Sequence, residues 1–492
     1  MHELMRKCIL KELKTVLFVV ALAILLYGFN AEEIAEYTRN IFETNSSHQQ
    51  INNLSEKEGA INVYFNKSAL SKYAFPGNKA NYHVNLEERL LIRIHHAKES
   101  IDLTVYEINL PKIVDALIDQ AANGITVRII ADAKNTYGEY EERYNIMKLY
   151  IEKMIRGKDK IIGTKDDIHV LCDSPMFAVT NQSLRNDFNL PNIDISKKAI
   201  QIGQHFVKGA MIAEGEKKSK NAYYPPKDQM HNKFVIIDNK WVWTGSWNFT
   251  QTGLYGSKEN RDQGILDGNT QNVIEIHSPK LAKIYKEEFN EMWGGSSINP
   301  NPEKSNFHAR KNNHTTHKVD INGTLVEVYF SPSDNPIGKL QKFVQEKADF
   351  SVYFNIFCWS DKKLVSILKN KWETPNGQRT NFDLKGVFDS CFFYKNWSAS
   401  ERILAQYKNI PPIFEDNEKR KLHSKTMIID ANTNSDPSVI IGSTNWSNNG
   451  NHINDKNMLI IHNANVANQF LQEFYARYKQ AGGKLPIHQK LQ

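Results

Sequence analysis

The strongest constraint on how this chain folds is an internal duplication, in which four patterns occur in the same order in its first and second halves. Ile61-Asn-Val-Tyr-Phe65 is echoed by Val326-Glu-Val-Tyr-Phe330, both alternating, β-branched and aromatic in the manner of strands. Ala97-Lys-Glu-Ser-Ile-Asp-Leu-Thr-Val-Tyr106 is matched to Glu346-Lys-Ala-Asp-Phe-Ser-Val-Tyr353, and a helix-like stretch follows each, over 110–122 and 361–369. Next come His231-Asn-Lys-Phe-Val-Ile-Ile-Asp238 with Thr244-Gly-Ser-Trp-Asn248, and His423-Ser-Lys-Thr-Met-Ile-Ile-Asp430 with Ile441-Gly-Ser-Thr-Asn445. Last, Ile276-His277 and Ile461-His462 each lead into an amphipathic helix, the first with Ser278 as N-cap and Pro279 at the first helical position.

Alternating strand and helix predicts an α/β fold of two similar lobes, each a mostly parallel sheet flanked by helices, related by pseudo-twofold symmetry. The expected limits are 60–295 for the first lobe, with its motif at 231–238, and 321–485 for the second, with its motif at 423–430. Residues 296–320 read as a polar connector whose histidines, His308, His314 and His317, face solvent. The first lobe carries extra polar sequence over 134–226, which reads equally as loops at the rim of a site or as a structural excursion away from it.

At 40% hydrophobic and 24% charged residues the chain is globular, and its net charge of +7 suits anionic substrates without demanding nucleic acid. Arg6, Lys7, Lys11 and Lys14 precede an apolar run from Val16 to Tyr27, the order of a signal peptide. Residues 1–30 are therefore expected to export the protein, leaving it secreted, periplasmic or anchored to a membrane by that segment. Beyond it remain Cys172, Cys358 and Cys391, whose spacing fits neither a disulfide framework nor a zinc site.

In each motif the histidine and lysine are two residues apart, so both side chains can face one pocket from the same side of an extended segment, and an apolar run then ends in an acid. The Gly-Ser pair lets backbone approach an anion, while Ser246, Asn248, Ser443 and Asn445 offer hydrogen bonds to a phosphate. Trp241, Trp243, Trp247 and Trp446 lie beside the motifs and read as core rather than as a stacking surface.

These residues closely resemble the paired HKD motifs and Gly-Ser-x-Asn segments of the phospholipase D superfamily, from about residue 60 to 480. The resemblance implies one active site built from His231, Lys233, Asp238, His423, Lys425 and Asp430, with no metal or cofactor. One histidine would form a covalent phosphohistidine and the other protonate the leaving oxygen and activate water; the family's usual order makes His231 the nucleophile and His423 the acid/base. Asp238 and Asp430 are expected to hold the motif's structure. An acid downstream often orients the histidine: Glu259 and Asp262 qualify in the first half, whereas the second has Lys456 where many relatives carry an acid, leaving Asp455 as substitute.

The implied function is phosphodiester hydrolysis of phospholipid head groups at a membrane surface, with no protein partner required. A metal-independent nuclease acting on nucleic acid and a phosphatidyl transferase are the alternatives. A catalytically silent binding protein on the same fold is disfavoured because both His/Lys pairs are intact.

Overall fold

The computed structural model describes residues 49–132, 142–173, 201–202, 205–206, 217–219, 222–223, 228–301 and 304–486. The apolar N-terminal run and most of the 134–226 insertion lie outside the described residues.

The first lobe contributes β1 (Ile61–Phe65), β2 (Ser100–Val105), β3 (Thr126–Ala131) and β4 (His169–Cys172). Within the insertion four short strands pair as two hairpins, β5 (Gln201–Ile202) with β6 (His205–Phe206) and β7 (Lys217–Ser219) with β8 (Ala222–Tyr223). The lobe closes with β9 (Phe234–Ile237), β10 (Trp241–Gly245) and β11 (Asn272–His277). The second lobe carries β12 (Lys318–Ile321), β13 (Thr324–Ser331), β14 (Ser351–Ile356), β15 (Asp383–Phe388) and β16 (Ile413–Glu415). Its motif strands are β17 (Lys425–Ile429), β18 (Ser438–Gly442) and β19 (Lys456–His462).

One sheet runs β1-β11-β10-β9-β2-β3-β4 and the other β12-β13-β19-β18-β17-β14-β15-β16. Apart from β12 the two orders are the same, so the duplication in sequence is a duplication in topology. The sheets are mixed rather than mostly parallel. Only β2-β3-β4 and β14-β15-β16 run parallel, through helical crossovers. The motif strands instead run antiparallel, β17 to β18 through a loop over 430–437 and β9 to β10 through a tight turn, where Asp238 and Asn239 both adopt positive φ and fold β10 straight back on β9.

Helix Pro279–Trp293 starts where expected, with the Ser278 hydroxyl capping the Leu281 amide, and Asn463 does the same for Val466 at the head of helix Ala464–Gln480. The second helix packs on β14, β17 and β18 of its own lobe and also on β1 and the turn Ser71–Tyr73 of the first. Apolar residues of both lobes, among them Val242, Val439, Phe470 and Phe474, consequently form a continuous core.

The strands correct the repeat in one place. Residues 97–106 were matched to 346–353 through a shared Val-Tyr, but β2 and β14 equate Ser100 with Ser351, so the residue following each strand is Tyr106 in one lobe and Phe357 in the other. The connector also departs from expectation: His308 is only 12% exposed, inserted between Asp173 and Asp455. Two buried carboxylates leave an opening that a cation must fill, and His308 and Lys311, whose ammonium pairs with Glu288, fill it.

Candidate active site

Both motifs begin just before their strands, and each is fastened by the other lobe. The His231 N–H donates to the carbonyl of Asp455 at the head of β19, 2.8 Å away, and the His423 N–H donates to that of Thr270 at the head of β11, at 3.0 Å. Each lysine then turns back on its own histidine: Lys233 donates to the His231 carbonyl at 2.8 Å and Lys425 to that of His423 at 2.7 Å. An aromatic ring backs each pair. Tyr106 lies 4.5 Å from the His231 ring and Phe357 4.7 Å from that of His423, with Lys233 and Lys425 over the same two rings.

The glycines of Gly245-Ser246 and Gly442-Ser443 explain how the strands come so close. A Cβ on Gly245 would lie 2.2 Å from the Asn272 carbonyl oxygen, and one on Gly442 would lie 2.2 Å from that of Asn457. The serines lock this crossing. Ser246 donates to the Gln271 side chain and accepts from the Asn272 amide, while Ser443 bonds the Asn457 side chain and amide. Their hydroxyls thus hold the strand crossing. Asn248 and Asn445 differ: the Oδ1 of each is buried without a hydrogen-bond partner among the described residues.

The residues that meet the imidazoles are not those expected. Glu259 and Asp262 sit on the short exposed helix Lys258–Asp262, where Asp262 pairs with Lys258 and Arg261. The turn of helix after β10 carries them out to solvent. Gln271 takes their place, its Oε1 3.1 Å from His423 Nδ1, which lies equally near the Ser246 carbonyl. In the second half the Asp455 carboxylate turns away to His308 and Lys311, and only its carbonyl serves His231. The ring meets Lys456 instead, whose Nζ is 2.6 Å from His231 Nδ1 and 3.4 Å from the Ser443 carbonyl. The signal for Gln271 was present in the repeat, since Gln271-Asn272 aligns with Lys456-Asn457 at the heads of β11 and β19.

Asp238 and Asp430 stand at the far ends of their strands. The Asp238 carboxylate accepts the amides of Lys98, Glu99 and Ser100, and the Asp430 carboxylate those of Asp349, Phe350 and Ser351. They fix the strand starts. The four tryptophans beside the motifs are buried core residues.

Electrostatically the site is cationic. Burial first, and then Lys233, Lys456 and Lys425, hold His231 well below the ordinary imidazole pKa; burial with Lys425 and Lys233 does the same for His423. His423 adds a smaller contribution in the same direction at His231. Lys425 is itself held well below its usual value by burial and by Lys456. Among the described residues no group of acids, histidines and cysteines is arranged to hold a metal ion, and Cys358 and Cys391 carry free thiols.

The profile of the family described as "Cardiolipin synthase, PLD-like domain" matches residues 90–293 and 346–478. The chain belongs to this phospholipase D-like family. Among solved structures, the phosphatidylserine synthase of Haemophilus influenzae is similar over 92% of this chain and 91% of its own, at 10% identity and a TM-score of 0.51. That likeness places the phospholipase D-like fold on both lobes. The phospholipase D family member Nuc of Salmonella typhimurium covers 32% of the chain with 95% of its own length, at 22% identity and a TM-score of 0.25. The polyphosphate kinase of Porphyromonas gingivalis is matched at 9% identity and a TM-score of 0.45, over 83% of this chain but only 51% of the kinase. No curated protein sequence matches.

Proposed function

We propose that the protein moves the phosphatidyl group of a phospholipid through a covalent phosphohistidine, releasing the head-group alcohol and passing the group to water or to a second alcohol. The observation that carries this reading is that each motif's imidazole is held by the other lobe, His423 by Ser246 and Gln271 and His231 by Lys456, so that the two His/Lys pairs are brought together. A phosphodiester repels nucleophiles, so its non-bridging oxygens must be neutralised, a nucleophile supplied and a poor alkoxide leaving group protonated. Lysines and asparagines serve the first need and the imidazoles the other two.

A lipid is favoured over nucleic acid by what surrounds His423. From its ring an aromatic path leads outward through Phe357 to Phe392 at 4.9 Å and Trp397 at 5.4 Å, and Trp397 and Tyr394 are exposed beside Lys395. Amphipathic aromatics with a lysine suit the boundary between head groups and acyl chains. The matched relatives named as cardiolipin and phosphatidylserine synthases lend support to a phosphatidyl acceptor other than water. Among the described residues no helix is long and apolar enough to cross a membrane.

The test is incubation of purified protein with vesicles of labelled phosphatidylglycerol, with and without added glycerol, and separately with single-stranded DNA, all in chelator. Phosphatidic acid or a new phosphatidyl ester is the expected product. Cleaved DNA with intact lipid would overturn the reading in favour of a nuclease, and silence on both would leave a binding protein.

A further inference from the structure

Three residues touch the Nδ1 atoms of the catalytic imidazoles, Ser246 and Gln271 at His423 and Lys456 at His231, and the two settings are chemically opposite. His423 Nδ1 lies 3.1 Å from the Ser246 carbonyl oxygen, which can only accept, so that nitrogen must carry the proton whichever way the Gln271 amide is turned. Its Nε2 then holds a free lone pair. His231 Nδ1 lies 2.6 Å from the Lys456 amine. A proton shared between the two stays with the stronger base, lysine, by about four pK units on ordinary values. Lys456 therefore donates, Nδ1 of His231 accepts, and its neutral ring must carry hydrogen on Nε2.

From this geometry we infer that His423 is the nucleophile and that Lys456, acting through the His231 ring, is the proton source and sink, the reverse of the division expected from the sequence. The inference rests on the phosphodiesterase reading of the site. In the first step His423 Nε2 forms the bond to phosphorus as the bond to the leaving oxygen breaks. The Nε2 proton of His231 passes to that oxygen while Lys456 delivers its own proton to Nδ1, and the lysine is left a neutral amine. In the second step water or an alcohol gives its proton to His231 Nε2 and its oxygen to phosphorus. The bond to His423 breaks, its electron pair returns to Nε2, and the Nδ1 proton of His231 returns to Lys456. Every proton ends where it began except the one exchanged between acceptor and leaving group. Lys456 is a positioning and relay residue, since it acts through the ring and not on substrate.

The arrangement is asymmetric because Gln271 and Lys456 occupy equivalent places at the heads of β11 and β19. Gln271 steadies a ring for attack, and Lys456 masks the other ring as a nucleophile.

Nitrogen-15 NMR of histidine-labelled protein reads the tautomers directly. The expected spectrum has His423 protonated at Nδ1 and His231 at Nε2, and His231 protonated at Nδ1 would overturn the inference. A diester with a 4-nitrophenolate leaving group needs no acid. On it, His231→Ala is expected to release about one equivalent of nitrophenolate and retain phosphorus on residue 423, whereas His423→Ala releases none. Phosphorus trapped on His231 in the unaltered protein would refute the assignment. Lys456→Met is expected to slow cleavage of an alkoxide-leaving lipid by roughly 10²-fold, the scale of general acid catalysis, but to slow the nitrophenyl diester far less; equal losses would reduce Lys456 to a structural part. Lys456→Glu, whose carboxylate would accept from Nδ1 and free Nε2, is expected to move part of the trapped phosphorus to His231. Inactivity on every diester would remove the phosphodiesterase reading, while the NMR spectrum still decides the tautomers.

Discussion

The carbonyl oxygen of Asp455 accepts the backbone N–H of His231 at 2.8 Å, while the carboxylate of the same residue faces His308, 3.0 Å away, and Lys311. One residue thus ties the first motif's histidine, the second lobe's strand and the inter-lobe connector together. Asp455→Asn keeps the carbonyl but leaves two buried cations short of a counter-charge. Removing one partner of a buried ion pair costs about 3–5 kcal/mol, so a fall in denaturation midpoint is expected. Unchanged stability in a urea titration would show that Asp173 and Glu288 suffice.

Asn248→Ala and Asn445→Ala are each expected to reduce kcat by about 10²–10³-fold, the cost of losing one preorganised donor to a developing oxyanion. The native fold should persist, because neither Oδ1 atom holds a partner that the substitution would orphan. Circular dichroism beside steady-state kinetics checks both halves of the statement. An unchanged kcat in either variant would remove that residue from the phosphate cradle.

The pH dependence follows from two imidazoles held neutral by burial and by the lysine charges. The attacking ring is then ready well below pH ~6.5, the ordinary histidine value, and the acid limb of kcat/KM should lie below that point. Stability is lost on the same, acid side. The unfolded chain binds protons near pH ~6.5 that the folded site refuses, so stability is expected to decline as pH falls through that value. An acid limb centred at or above pH 6.5 would contradict the electrostatic picture.

Trp397→Ala tests the lipid reading without touching the histidines. An anchor worth about 1.4 kcal/mol at a bilayer surface corresponds to roughly tenfold in affinity, so apparent KM on vesicles should rise by about that factor. Turnover of a soluble short-chain diester should be unaffected. Equal effects on both substrates would place Trp397 in the site's architecture rather than at a membrane.

Much of this fold was legible because the hydrophobic patterns repeat. The ends of β1, β11 and β19, the Ser278 cap and both His/Lys pairs lie close to where alternation and capping put them. Strand direction was not legible, since a helix-forming stretch beside a strand suggests a crossover, whereas positive φ at Asp238 and Asn239 makes a hairpin instead. The connector misled through its composition. Polar residues usually mean solvent, yet His308 and Lys311 are polar because buried carboxylates await them. Gln271 is hidden for a similar reason: the family's pattern points to an acid, whereas a ring nitrogen needs only an acceptor, which an amide supplies.

The strand crossing that glycine permits at Gly245 and Gly442 gives each half of the chain custody of the other half's imidazole. Were the two halves separate, identical copies, any change at the crossing would fall on both rings together. Joined in one polypeptide, they are free to diverge, an amide on one side and an ammonium on the other, so covalent linkage is what allows the halves a division of labour.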